Sequence, residues 1–254
     1  MSAKLLTLAR DLQRRKARER QQLFVCEGVR ATQELVRSPL EIRGVLVSAA
    51  LLSAARGAAL REAIDARGIT VLELDEADFA TAASTDAPQG ILAIAAVPEL
   101  TVESLRLPPR ARLLVLDAVQ DPGNAGTMLR TAAALGASAT LAAPGTVDLW
   151  NAKVVRSAMG ALFHYPALAV NWSELDALVA ANGISLWGAD VTGQPIQTIA
   201  PPTSMALVVG NEGAGLSDDA RSRCSRLVGI SLAPEIESLN VAVAAGILLH
   251  HFRE

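Results

Sequence analysis

Short apolar runs alternate along the chain with longer amphipathic stretches, which is typical of an α/β protein. The pattern predicts strands such as Leu23–Glu27, Ile91–Ala96 and Met205–Val209. It predicts helices between strands, for example Val29–Arg37 and Ala54–Ala66. In the second half of the chain the predicted strands are continuously apolar, which indicates a parallel sheet covered by helices on both faces.

Two α/β parts are separated by residues 98–110. This segment is rich in proline and shows no regular spacing of apolar residues. We interpret it as a linker between a smaller domain, residues 1–97, and a larger domain, residues 111–254. The final helix, predicted over Leu239–Leu249, is apolar all round, so we expect it to be buried.

Composition excludes several classes of protein. The chain has 254 residues, of which 51% are hydrophobic and 19% charged, so it is not a disordered chain. No apolar run reaches the roughly 18 residues that cross a bilayer, so we expect no membrane partner. Cys26 and Cys224 lie in no metal-binding spacing, and three histidines do not suffice for a usual metal site. We therefore predict no metal and a reducing, cytoplasmic setting.

The charge is unevenly distributed. The net charge is −3, yet residues 1–30 carry +5, from eight basic and three acidic residues. A basic segment on an acidic body is an electrostatic footprint for phosphate. A solvated helix face and a transit peptide are the alternatives, although the segment lacks the serine content of the latter.

Three segments of the second half follow predicted strands, at the edge where open α/β sheets bind ligands. In the first, Asp121-Pro-Gly-Asn124 forms a turn, Asn124 is expected to cap the next helix, and Arg130 is an unusual charge on that helix. A surface arginine is the simpler interpretation of Arg130. The second, Gly210–Leu216, is glycine-rich, but its glycine order differs from that of the dinucleotide-binding fingerprint.

The third segment runs from Ile230 to Val243. Ser238 is expected to cap the final helix. Glu237 and Asn240 are polar groups at the mouth of a buried helix, where they need partners.

Together, in this order and spacing, the segments resemble the three motifs of the SpoU-type (TrmH-like) RNA ribose 2′-O-methyltransferases of the SPOUT superfamily. The first matches N-x-G-x-x-x-R and the second G-N-E-G-x-G-L. The third matches I…E-S-L-N-V, but has Ser231 where proline is usual and Pro234 where glycine is usual. The matched positions are Asn124, Gly126 and Arg130, then Gly210 to Leu216, then Ile230 and Glu237 to Val241.

Two further segments are similar to parts of such enzymes. Lys153–Gly160 is similar to a family segment between the first and second motifs. Phe24–Gly28 and Gln89–Leu92 resemble the L30e-like RNA-binding domain that many members carry, which would explain the basic N-terminal segment as a phosphate-contacting surface.

The resemblance implies S-adenosylmethionine as methyl donor, a trefoil-knotted C-terminal domain and a homodimer formed through that domain. It implies cofactor contacts by main-chain groups of Gly210, Ile230 and Leu239. It assigns the catalytic site to five residues: Asn124, Arg130, Glu212, Ser238 and Asn240.

Within that site the family usually gives Arg130 the activation of the 2′-hydroxyl. A guanidinium stays protonated, so a clamp on the neighbouring phosphate is a better role for it. The proton then goes to that phosphate, to water or to Glu212, and Glu212 is equally suited to bind loop amides.

The L30e-like part implies ribosomal RNA as the substrate, and among ribosomal RNAs we expect 23S rRNA. The alternatives are the same chemistry on transfer RNA and a non-catalytic RNA-binding module. A nucleotide-dependent oxidoreductase is disfavoured because neither domain begins with a strand–GxGxxG–helix unit.

Overall fold

The computed structural model describes residues 2–54 and 56–253. Met1, Ala55 and Glu254 fall within the predicted domain ranges, and Ala55 also within the predicted helix Ala54–Ala66, but they lie outside the described residues. The chain forms two compact units. The first comprises the described residues up to Glu99 together with Trp150–His164, and the second comprises Leu100–Leu149 and the described residues from Tyr165 onwards.

The stretch of chain from Ser2 to Ala96 forms the strands of the first unit and most of its helices. Its helices and strands are α1 (Ser2–Asp11), α2 (Arg15–Gln21), β1 (Leu23–Glu27), α3 (Val29–Arg37), β2 (Ile42–Val47), α4 (Ala50–Ser53), α5 (Gly57–Ala66), β3 (Val71–Glu73), α6 (Glu76–Ala80) and β4 (Ile91–Ala96).

These strands form a mixed sheet in the order β1-β4-β2-β3. β4 runs antiparallel to both of its neighbours, and β2 pairs with β3 in parallel. Leu12, Val25, Leu46, Phe79 and Ile94 are buried in the core on one side. The predicted helix Ala54–Ala66 is wrong at its start, because Arg56 adopts a left-handed φ of +70° that separates α4 from α5.

The second stretch contains the remaining elements. They are β5 (Arg112–Leu116), α7 (Pro122–Ala134), β6 (Ala139–Ala142), α8 (Ala152–Ser157), β7 (Ala167–Ala169), α9 (Trp172–Asn182), β8 (Ser185–Pro195), β9 (Met205–Val209), α10 (Asp218–Arg223), β10 (Arg226–Gly229) and α11 (Val241–His251), with 3₁₀ turns at Val102–Ser104, Ala161–Phe163 and Ile196–Thr198.

The second unit contains the predicted parallel sheet, in the order β10-β8-β9-β5-β6-β7, with every neighbouring pair parallel. From β5 the chain builds the sheet in one direction through β6 and β7, and then places β8, β9 and β10 on the other side. The order of strands therefore reverses between β5 and β9. The carboxyl ends of these two strands form the switch point at which open α/β sheets bind ligands.

Residues predicted as a linker pack on the second unit. Leu100, Val102, Leu105 and Leu107 lie against the core formed by its strands and helices. This packing follows from their spacing, since apolar side chains at nearly alternate positions leave one face to be covered. The assignment of separate tasks to 1–97 and 111–254 stays a prediction.

The segment that carries α8 belongs to the first unit, although it lies between β6 and β7 in the chain. The Phe24 ring of β1 lies 4.6 Å from the Trp150 ring and 5.8 Å from the Phe163 ring, measured between centroids. The buried aromatic side chain of β1 thus holds both ends of this segment.

The final helix begins at Val241, two residues later than predicted, and packs against α7 and β9. The expectation that it is buried on all sides is wrong. Val243 is 52% exposed and Ile247 40% exposed, one turn apart. Among the described residues, no helix combines the length and hydropathy that crossing a bilayer requires.

Candidate active site

The loop after β9 closes tightly upon itself. Asn211 and Gly215 exchange backbone hydrogen bonds, and the Asn211 side-chain oxygen accepts the N–H groups of Gly213 and Ala214, each at 3.0 Å. A Cβ on Gly210 would lie 2.2 Å from the carbonyl carbon of Gly215. Only glycine at position 210 therefore permits this closure.

Side chains of this loop fasten it to the end of β5. Asn211 Nδ2 donates to the Ala118 carbonyl at 2.9 Å. The Asp117 carboxylate, 1% exposed, accepts the backbone N–H of Ser217 at 2.7 Å and its hydroxyl at 3.0 Å. Ala118 has a left-handed φ of +53°, an unusual conformation for a residue with a Cβ that must be stabilised by its surroundings. The two loops of the switch point are thus held together as one structure.

Glu212 of the second motif binds the loop that precedes α7. Its Oε2 accepts the Gln120 N–H at 3.2 Å, and its Oε1 accepts the Asp121 N–H at 3.1 Å and the Asn124 side-chain amide at 3.2 Å. Partial burial raises the pKa of the Glu212 carboxyl. Hydrogen bonds from its own backbone N–H, from Asn124 and from the Gln120 and Asp121 amides outweigh this and hold the pKa below its ordinary value.

The third motif joins the same group through an amide–amide hydrogen bond. Asn240 Nδ2 donates to Asn124 Oδ1 at 3.0 Å. The structure therefore brings together Asn124, Glu212 and Asn240, one from each motif.

Both predicted helix caps are wrong. Asp121, and not Asn124, caps α7, because Pro122 occupies the first helical position and the preceding side chain accepts the Asn124 N–H. Asn240, and not Ser238, caps α11 by accepting the N–H groups of Ala242 and Val243.

A cavity of about 440 Å³ lies beside these motifs. The predicted cofactor residues Gly210, Ile230 and Leu239 all line it, and so do Glu212 and Ser238. Its larger apolar side chains are Val191, Val209, Val228, Ile230, Leu232, Leu239, Val241 and Leu248. Small-molecule sites are commonly cavities of this size with apolar walls and a few polar groups.

The sequence reasoning missed one wall of this cavity. Between the pairs Leu227–Gly188 and Val228–Gln194 the register of β8 and β10 shifts, so residues 189–193 form an unpaired arch, of which Ala189, Asp190 and Val191 line the cavity. Asp190 in this arch forms an ion pair with Arg221 of α10 and accepts the Thr192 N–H at 2.8 Å. Burial raises the pKa of Asp190. The hydrogen bonds with Thr192 and Arg221 and the charge of Arg221 lower it by more than burial raises it, so the net shift of the pKa is downward.

Arg130 lies outside this hydrogen-bonded group. Its side chain is exposed on α7, and within residues 2–54 and 56–253 it makes no hydrogen bond or ion pair. Ser238 is exposed at the cavity and likewise has no hydrogen-bond partner in the described part of the chain. Both are free to contact a ligand.

The basic N-terminal segment is only partly available to a ligand. Arg10 pairs with Asp78, Arg14 with Asp11 and Arg15 with Glu19. Arg18 is 5% exposed and donates to the carbonyls of Leu12 and Gln13. Cations of this segment without an ion pair to a described residue are Lys4, Lys16, Arg20 and Arg30.

The chain matches known families along most of its length. Residues 111–250 match the SpoU rRNA Methylase family, and residues 7–93 match the MRM3-like substrate binding domain. A relative from Bacillus subtilis (strain 168), named 23S rRNA (guanosine(2553)-2′-O)-methyltransferase RlmP, is 36% identical over 96% of this chain and 94% of its own length.

Two solved structures share the fold. One is an AdoMet-bound rRNA methyltransferase from Sinorhizobium meliloti, with a TM-score of 0.84, 27% identity and coverage of 97% of this chain and 93% of that one. The other is the SpoU methyltransferase AviRb from Streptomyces viridochromogenes in complex with AdoMet, with a TM-score of 0.85, 26% identity and coverage of 97% and 96%. With the matched family covering all three motifs, the chain belongs to the SpoU rRNA methylase family.

Proposed function

We propose that this protein transfers a methyl group from S-adenosylmethionine to a ribose 2′-hydroxyl of 23S rRNA. The observation that carries the proposal is the hydrogen-bonded group Asn124–Glu212–Asn240 at the switch point of the sheet, beside the cavity. The membership of the SpoU family and the RlmP relative support the substrate class.

The cavity suits the proposed cofactor. Its apolar walls accommodate an adenosine, and Arg221, the basic residue of its lining, is already paired with Asp190, so it offers no free cation to repel a sulfonium. Gly210, Ile230 and Leu239 would hold the cofactor through main-chain groups. When bound, S-adenosylmethionine supplies an electrophilic methyl group on a positively charged sulfur.

The remaining chemistry is positioning of the ribose. Asn124 and Asn240 are fixed by their mutual hydrogen bond, and Ser238 lies unpaired at the cavity, so these three side chains would orient the ribose. Arg130 would bind the adjacent phosphate through two parallel hydrogen bonds and stabilise the negative charge that develops on the 2′-oxygen.

Glu212 is better suited to positioning than to proton transfer. Its oxygens are occupied by two backbone amides and the Asn124 amide, and its lowered pKa makes it a weak base. The proton of the 2′-hydroxyl would then leave to the substrate phosphate or to water.

The resemblance also implies a trefoil knot and a homodimer, which stay predictions. The exposed Val243 and Ile247 line a groove between α7 and α11 that would fit a second copy of this face. Sedimentation tests the dimer. Val243→Asp with Ile247→Asp should give a monomer, whereas Leu52→Asp, at a still more exposed apolar site on the first unit, should stay dimeric. A dimer that survives both changes would contradict this assignment.

In this proposal residues 1–97 are the L30e-like, RNA-binding part and the protein works in the cytoplasm. Transfer of label from S-adenosylmethionine to 23S rRNA and to total tRNA tests the substrate. We expect label in 23S rRNA. Label in tRNA alone would favour the transfer RNA alternative, and RNA binding without label would favour a non-catalytic module.

A further inference from the structure

The buried carboxylate of Glu27 lies at the end of β1. It takes no part in the strand pairing of the sheet, and the proposed reaction assigns it no role. Glu27 is 2% exposed. Its Oε2 accepts the Ser84 N–H at 2.7 Å and the Ser84 hydroxyl, and its Oε1 accepts the Thr85 hydroxyl. No cation of the described residues lies within ion-pair distance of it. The turn at 84–85 therefore satisfies this charge alone.

The Ser84 hydroxyl links this carboxylate to an arginine. Arg156 of α8 donates from Nη1 to Ser84 Oγ at 3.1 Å. A hydroxyl has a single hydrogen, and here it points to Glu27, so Ser84 accepts from the guanidinium. Arg156 is half-buried and forms no ion pair within the described ranges, so its other N–H groups are available to a ligand.

The segment that carries Arg156 is fixed to the first unit. Trp150 and Phe163 flank the Phe24 ring. Between them Gly160 has a φ of +91°, and a Cβ there would lie 2.6 Å from the Glu34 Cβ. The segment thus approaches α3 more closely than any other residue type at position 160 would allow.

A second arginine lies at the same end of β1. Gln89 Oε1 accepts the Val29 N–H at 2.9 Å, so the chain that follows Ser84 also contacts the start of α3. Arg30, the next residue of α3, is exposed and pairs with no described carboxylate. Two arginines without an ion pair to a described carboxylate, Arg30 and Arg156, thus lie on elements that the segment 84–89 contacts.

From this arrangement we infer that Arg156 binds a phosphate of the RNA substrate, with Arg30 as a second cation for the RNA backbone, and that Glu27 and Ser84 are positioning residues for Arg156. The inference rests on the proposed function for the identity of the substrate. An anchored guanidinium without a carboxylate partner suits the bidentate binding of a phosphate oxygen pair.

Affinity for a full-length 23S rRNA transcript, measured over a range of salt concentrations, tests this. Arg156→Ala should weaken binding about tenfold at low salt, the worth of one charged hydrogen-bonded contact. It should also reduce the slope of log Kd against log salt by roughly 0.7–0.9, which is the release of about one counterion. Arg43→Ala is the matched control, because it removes the same charge from an exposed ion pair with Glu41 on the same unit.

The positioning role is tested by a double-mutant cycle. Ser84→Ala keeps the charge and removes the anchor, so it should weaken RNA binding in the wild type and have no further effect in Arg156→Ala. Additive losses would overturn the positioning role. If Ser84→Ala does not fold, Glu27→Gln replaces it in the cycle, since it keeps Ser84 but removes the charge that orients the Ser84 hydroxyl.

The outcomes separate this inference from the proposed function. If Arg156→Ala has the same RNA affinity and salt slope as Arg43→Ala while the wild type methylates 23S rRNA, the inference is overturned and the proposed function is not. A wild type that neither binds nor methylates 23S rRNA overturns both. Melting temperature and calorimetric affinity for S-adenosylmethionine should be unchanged in Arg156→Ala.

Discussion

Asn240 donates a hydrogen bond from its side-chain amide to the side-chain oxygen of Asn124, over 3.0 Å. These residues are 116 positions apart in the chain, and Asn124 passes the connection on to Glu212 over 3.2 Å. Both polar ends of each asparagine are thereby used, since Asn240 Oδ1 also caps α11. Their side chains are held in one orientation, which is what a site that works by positioning requires.

The two asparagines should differ in what they contribute to stability. Asn240→Ala removes a helix cap and should lower the free energy of unfolding by about 1 kcal/mol. Asn124→Ala removes no cap, because Asp121 caps α7, and should lower it less. Both should lose most of their methylation rate. Denaturant unfolding and single-turnover kinetics check this, and equal destabilisation by the two changes would contradict the assignment of the caps.

The glycines of the second motif offer a matched pair for the cofactor site. Gly210→Ala should abolish S-adenosylmethionine binding, because the new Cβ would lie 2.2 Å from the Gly215 carbonyl carbon and force the loop open. Gly213→Ala should bind normally, since its Cβ would approach no closer than 3.7 Å, to the Asn211 side chain. Calorimetry distinguishes them. Normal binding by Gly210→Ala would show that the cofactor does not use this loop.

Stability in acid should depend on Glu212. Its pKa is lowered in the folded protein, so its contribution is fully present above the ordinary glutamate value of about 4.3 and is lost as the pH falls through the folded pKa. Glu212→Gln should therefore be less stable than the wild type at pH 7, and the difference should shrink on acidification below about pH 4. Glu62→Gln is an exposed control on α5, and its stability should match that of the wild type across the same pH range. A difference that stays constant with pH would contradict the account.

Much of the site is predictable from local sequence, and the rest depends on distant contacts. The three motifs specify Asn124, Glu212 and Asn240, but not that the side chains bond to one another across the switch point. The wall formed by Asp190 and Arg221 could not be predicted, because the 189–193 arch arises from a register shift against β10 and leaves no periodic signal.

Some misassignments had a usable signal. Pro122 favours the first helical position, which indicates Asp121 as the cap. The partial exposure of α11 had no signal in the sequence. An apolar helix surface has the same sequence pattern whether it packs on its own chain or on a second copy.

Arg130 is the residue whose role depends most on the substrate. Arg130→Ala should keep the melting temperature and the cofactor affinity, because the side chain is exposed and contacts no described residue by hydrogen bond or ion pair. It should lose on the order of a hundredfold in the single-turnover rate at saturating RNA. Arg130→Lys should rescue poorly, since a point charge cannot replace a planar clamp. A near-normal rate for Arg130→Ala would make it a surface arginine.

The position of the transferred methyl group tests the central claim most directly. A 2′-O-methyl ribose resists alkaline cleavage at its 3′ phosphate, because that cleavage needs the free 2′-hydroxyl, whereas methylation of a base leaves cleavage unaffected. 23S rRNA labelled by this protein and S-adenosylmethionine should therefore release its label in alkali-resistant dinucleotides. Release of the label in mononucleotides would place the methyl group on a base and contradict the account.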